Sequence, residues 1–208
     1  MDEKNLITYA RVNKRYVFSV KEAKMVFSQS SGKTVDNLLQ KYEKKGIIER
    51  LKKGLYSVKF PEGGPTIPDL FLANRMYEPS YVSLETALSF YNIIPEETAE
   101  VTSVTTGQTK VFKNKQGVFW YFSVKKEAFF GYILLNLEGF KVNIAEKEKA
   151  LVDYIYLKMR RGEEIDVMED RFDTDILKQL NWEKVKQYAK LYGVFVVSRV
   201  EKLKKENL

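Results

Sequence analysis

Three observations in the sequence predict an α+β protein in two parts. Residues 19–59 read as two short helices followed by a two-stranded ribbon, and residues 101–144 read as a run of short strands. The charge divides between these regions. Residues 1–60 hold 14 Lys+Arg against 6 Asp+Glu, a balance of +8, and residues 61–208 hold 21 against 22, a balance of −1.

Taken in order, residues 2–13 form a first helix with Leu6, Ile7 and Ala10 on its apolar side. Tyr16-Val17-Phe18 is a short strand leading to Ser19, which with Glu22 makes a capping box for a second helix. Ala23, Val26 and Phe27 share a face there, and Ser30 or Ser31 caps the next helix, about Lys33 to Lys45. In that third helix Val35, Leu38, Leu39 and Tyr42 make a buried stripe, and Gly46 ends it as a C-cap. Ile47 to Leu51, a Lys52-Lys53-Gly54 turn and Leu55 to Lys59 complete a ribbon. The arrangement is that of a winged helix-turn-helix.

At about 100° per residue, the exposed face of the third helix carries Lys33, Asn37, Gln40 and Lys44, with Lys41 on its flank. These side-chain types read base edges and phosphates in a major groove. Arg50, Lys52 and Lys53 fall on or near the wing tip, where phosphate contact is expected. A solvated helix face is the blander account of any one of these lysines. Helix and basic wing together carry the signal.

Pro61 to Pro65 and Pro68 place a boundary at about Phe60 to Thr66, giving a DNA-binding domain over 1–60 and an α+β domain over 67–208. The second domain opens with helices at Asp69 to Met76 and, capped by Ser83, through Ala87, Leu88 and Tyr91. Strands follow at 101–106, 110–113, 118–124, 132–137 and 140–144, joined by turns at 114–117 and 138–139. Helices return at 145–160, 174–180, 182–192 and from Val194 or Val196 to Lys205, with Asn181 as a cap. The expected sheet is small and mostly antiparallel.

There is no Cys and no His, so the usual zinc ligands, a Ser-His or Cys-His couple and an imidazole shuttle are all excluded. No catalytic residue, metal site or cofactor is expected. The absence of a long apolar run or signal-peptide pattern predicts a soluble, cytoplasmic protein with no membrane partner. Ser31-Gly32-Lys33-Thr34 holds the tail of a phosphate loop, but Phe27 stands where the first Gly is required. Glu146, Glu148, Lys149 and Asp153 hint at a nuclease centre, although acidic residues in a first helical turn suit the helix dipole without one. The acidic stretch Gly162 to Asp173 lacks calcium-loop spacing and reads as a solvated loop. Phe119 to Phe122 alternate, half to the core and half to a surface.

Lys53-Gly54-Leu55-Tyr56, at the end of the N-terminal arrangement, resembles the winged helix of AbiEi-type antitoxins, also described as transcriptional regulators of viral defence systems. Pro79-Ser-Tyr-Val-Ser-Leu-Glu-Thr-Ala-Leu88 resembles that family's next helical segment, Val101-Thr-Ser-Val-Thr-Thr106 its following strand, and Val142 to Asp153 its strand-to-helix segment. The likeness covers most of residues 17–160. It implies a repressor of its own operon that binds double-stranded promoter DNA. It also implies a type IV antitoxin against a nucleotidyltransferase-like toxin, without need of a stable complex. By resemblance, Lys33, Thr34, Asn37, Lys41 and Lys44 enter the groove, and Arg50, Lys52 and Lys53 grip the backbone. Two other readings stand beside it: a metal-dependent nuclease with a winged-helix targeting domain, and a protein-interaction module.

Overall fold

The computed structural model describes residues 3–26, 32–60, 63–96 and 99–207. Phe27, the caps at Ser30 and Ser31, and Pro61 lie outside them. Two compact units divide the chain, Met1–Pro68 with Asn114–Gln116, and Asp69–Lys113 with Gly117–Leu208.

The first unit contains α1 (Glu3–Val12), β1 (Val17–Ser19), α2 (Val20–Val26), α3 (Gly32–Lys44), β2 (Ile48–Lys52) and β3 (Leu55–Val58). Its strands form an antiparallel sheet in the order β1-β3-β2. β3 is central, and all four of its residues are buried. Local chemistry fixes the helix ends. The Ser19 N–H donates to Glu22 Oε2 at 2.6 Å while the Glu22 N–H donates to Ser19 Oγ at 3.1 Å, the reciprocal capping box read from the sequence. At the far end of α3, Gly46 at φ +70° lets the chain turn back. The Ile47 N–H bonds the Tyr42 carbonyl and the Gly46 N–H bonds that of Glu43, as in a Schellman motif. Leu6, Ala10, Phe18, Val35, Leu39 and Tyr42 meet in one core. The larger aliphatic and aromatic side chains among them contribute about 1.5–3 kcal/mol each on burial.

The second unit contains α4 (Asp69–Met76), β4 (Ser80–Val82), α5 (Leu84–Phe90), β5 (Val101–Thr105), β6 (Lys110–Asn114), β7 (Gly117–Ser123), β8 (Tyr132–Leu137), β9 (Phe140–Ala145), α6 (Lys147–Arg160), α7 (Thr174–Lys178), α8 (Trp182–Tyr192) and α9 (Val194–Asn207). The protein is thus α+β, with a small antiparallel sheet and a larger mixed one. Here the structure corrects the expected mostly antiparallel sheet. Six strands run in the order β6-β7-β5-β4-β9-β8. β5 pairs parallel with β7 and β4 parallel with β9, whereas β4–β5 and β8–β9 are antiparallel. A turn signal predicts only that consecutive strands are neighbours. The insertion of β7 between β6 and β5, and of β9 beside β4, depends on pairings between distant residues that leave no local trace.

Candidate nucleic-acid interface and an enclosed charge network

The two faces of α3 separate cleanly. Val35, Leu39 and Tyr42 are each 1% exposed, and Thr34, Asn37, Gln40, Lys41 and Lys44 are exposed. Leu38, expected in the buried stripe, is only half-buried at its margin. The side chain of Lys33 lies outside the described residues. Arg50 on β2 and Lys53 in the following turn are exposed, and Lys52 is half-buried. A bulge between Arg50 and Lys52 breaks the register with β3, and Gly54 at φ +81° closes the turn.

Three neighbouring cations are neutralised. Lys24 pairs with Asp36 at 3.3 Å, Arg15 with Glu22 at 3.4 Å, and Lys59 with Glu49 at 3.6 Å. Among the described residues Lys41, Lys44, Arg50 and Lys53 have no such partner. Arg11, Lys14 and Lys21 are likewise exposed without an ion pair among the described residues, so the uncompensated charge includes the helix face and turn singled out in the sequence but is not confined to them. That charge is available to an external anion.

The second unit encloses its most polar cluster instead. Lys149 and Asp153, one turn apart on α6, form an ion pair with both side chains at 0% exposure. The Lys149 ammonium also donates to Tyr81 Oη at 2.9 Å and Tyr192 Oη at 3.1 Å, which uses all three of its protons. Asp153 accepts from Tyr81 at 2.9 Å, Ser83 at 2.8 Å and Tyr192 at 2.5 Å besides the lysine. Burial holds the Lys149 ammonium below the usual lysine value, with Asp153 pulling the other way. Burial and the Asp153 charge push the Tyr81 and Tyr192 hydroxyls well up. Asp153 therefore has no free oxygen face for a metal ion or water. Ser83 does stand at the N-cap of α5, but its hydroxyl serves Asp153 and makes no cap hydrogen bond.

The other acidic residues are also engaged structurally. Glu148 is 5% exposed, and its Oε1 accepts from the Asn181 N–H at 3.1 Å. The loop after α6 is more ordered than a solvated one. Asp170 accepts from Tyr154 and Lys158, Asp166 from the Met168 and Glu169 N–H groups, and Asp173 caps α7. Among the described residues no group of three or more carboxylates is arranged to hold a metal ion.

Sequence reasoning noticed Lys149 and Asp153 but not their enclosure. The signal was the unbroken Ala150-Leu151-Val152 between them, which leaves α6 no polar face at that level. Alternation in β7 was read correctly. Phe119 and Tyr121 are buried, and Trp120 and Phe122 stack at 6.2 Å on the other face.

No protein-family model matches the chain, and no curated protein does. Among the described residues, no helix is long and apolar enough to cross a membrane.

Proposed function

We propose that the protein is a DNA-binding transcriptional repressor whose first unit acts as a winged helix, with α3 in the major groove and the β2–β3 turn on the phosphate backbone. One observation carries this reading: a 13-residue amphipathic helix exposes Asn37, Gln40, Lys41 and Lys44, and a basic turn follows it. Three helices with a three-stranded antiparallel sheet suit such a unit. Lys41, Lys44, Arg50, Lys52 and Lys53 would supply the phosphate contacts, and Asn37 and Gln40 the base contacts.

The resemblance to AbiEi-type antitoxins extends the proposal to autoregulation. The second unit then acts as the antitoxin of a type IV system against a nucleotidyltransferase-like toxin. The division of the chain into a basic N-terminal region and a near-neutral remainder supports this division of labour. The test is fluorescence anisotropy of the full chain on its own upstream DNA and on scrambled DNA across a salt series. Sequence-selective binding with a steep salt slope is expected. Equal weak binding to both DNAs would reduce the proposal to a generic basic surface. Co-expression with the adjacent reading frame tests the antitoxin half, which fails if growth arrest by that product is not relieved.

A further inference from the structure

The two edges of the larger sheet are built differently. β6, at one edge, carries exposed Lys110 and Lys113. Charged side chains of this kind deter another strand from docking. β8, at the other edge, reads Tyr132-Ile-Leu-Leu-Asn-Leu137 and holds no charge and no proline. Its register with β9 runs from Tyr132↔Ala145 to Leu137↔Phe140 without a bulge. Tyr132, Ile133 and Leu134 are 39%, 42% and 61% exposed, and Phe130 just before them is 46% exposed. A bulge-free, uncharged, largely apolar edge is a docking template unless something covers it.

The backbone shows which groups point outward. The Asn143 N–H and carbonyl are both held by the Asn74 side chain, at 2.6 and 3.2 Å, so neither reaches Leu134 opposite. The Glu146 N–H instead donates to the Gly131 carbonyl at 2.9 Å. By alternation, Gly131, Ile133, Leu135 and Leu137 bond inward, and Tyr132, Leu134 and Asn136 present their N–H and C=O groups outward.

We propose that β8 is a homodimer interface, pairing antiparallel with β8 of a second copy about a two-fold axis at Leu134. The strand is its own complement in this register. Leu134 pairs with Leu134 of the partner subunit and Tyr132 with Asn136 of the partner subunit, giving about six main-chain hydrogen bonds. Ile133 falls opposite Leu135 of the partner subunit in the closer, non-hydrogen-bonded position, so one face of the junction is apolar, the other sets Leu134 between two Tyr–Asn pairs, and no like charges meet. The Asn136 Oδ1 accepts from the Gly139 N–H at 2.9 Å. The pairing closes after two copies and joins the sheets of two subunits into one. A junction confined to a strand edge is smaller than a standard interface of ~800 Å² per partner, so a weak, reversible association is expected.

Sedimentation velocity of the full chain, across roughly two decades of micromolar concentration, reads this directly. A reversible monomer–dimer equilibrium is expected. Leu134→Pro removes an outward N–H, and Leu134→Lys places like charges at the axis. Each should weaken dimerisation at least about tenfold, with far-UV circular dichroism unchanged. Val111→Lys on the β6 edge should leave it unaltered. If Leu134→Pro fails to fold, Leu134→Lys decides. A monomer at every concentration, open-ended polymers, or a dimer indifferent to Leu134→Lys would overturn the proposal.

Discussion

Lysine occupies two opposite settings in this chain. On α3 and the β2–β3 turn, Lys41, Lys44 and Lys53 stand in water with no ion-pair partner among the described residues. On α6, Lys149 is sealed at 0% exposure with every proton committed. The difference teaches how to read a charge. An exposed, uncompensated cation contributes little to stability and keeps its charge for a partner. An enclosed one contributes nothing to recognition, and its desolvation cost binds the surrounding elements to one arrangement. Here it ties α6 to β4 through Tyr81 and to α8 through Tyr192.

The sharpest way to break the comparison is to unpair the enclosed lysine. Asp153→Ala should destabilise the second unit by about 3–5 kcal/mol, because an ammonium is left buried without its counter-charge. Lys149→Met combined with Asp153→Leu should recover most of that loss. Both tryptophans, Trp120 and Trp182, lie in this unit, so urea denaturation followed by fluorescence reports on it selectively.

Alkaline titration probes the same network without mutation. The folded-state values of Tyr81 and Tyr192 are raised, so their contribution is complete below the unfolded tyrosine value near 10 and is lost as pH rises beyond it. Tyr91, pushed up to about 12 by burial, acts in the same direction. Lys149 has the opposite sign: its lowered value lets stability grow towards the unfolded lysine value near 10.4. The urea midpoint should therefore hold up to about pH 10 and fall above it. A midpoint that rises steadily through pH 11 would contradict the tyrosine assignment.

Removing charge at the wing should act chiefly on binding. Replacing Arg50, Lys52 and Lys53 together by Ala should make the salt dependence of DNA affinity shallower by about 2–3 in log–log slope. Stability should stay within about 0.5 kcal/mol. Unchanged affinity would disprove the wing assignment. Asn37→Ala should instead lower discrimination between operator and scrambled DNA by about 1–3 kcal/mol, seen as converging anisotropy curves. Smallest is Ser19→Ala, expected to cost about 1 kcal/mol through the lost cap on α2. Differential scanning calorimetry of the full chain would register it.

How much of this was legible depends on sequence distance. The Ser19–Glu22 box spans three residues, the Gly46 cap follows from one glycine after a periodic helix, and the strand 140–144 alternates visibly. Each is a contest between a few adjacent side chains and their own backbone. The polar face of α3 was legible for the same reason, since helical period alone sets it opposite Val35, Leu39 and Tyr42. Asp153 was not. Its four donors come from positions 81, 83, 149 and 192. Only one of them, Lys149, lies within a helical turn.

The sequence by itself therefore determined most of the elements, the caps at Ser19, Gly46 and Asn181 and the polar face of α3, because propensity, periodicity and capping act over a handful of residues. Tertiary structure alone decided that β7 and β9 would run parallel to β5 and β4, that β8 would be left at an uncharged edge, and that Lys149 and Asp153 would be enclosed. Strand order and burial are settled by which distant apolar faces cover one another. The same lysine is solvated or sealed according to that outcome.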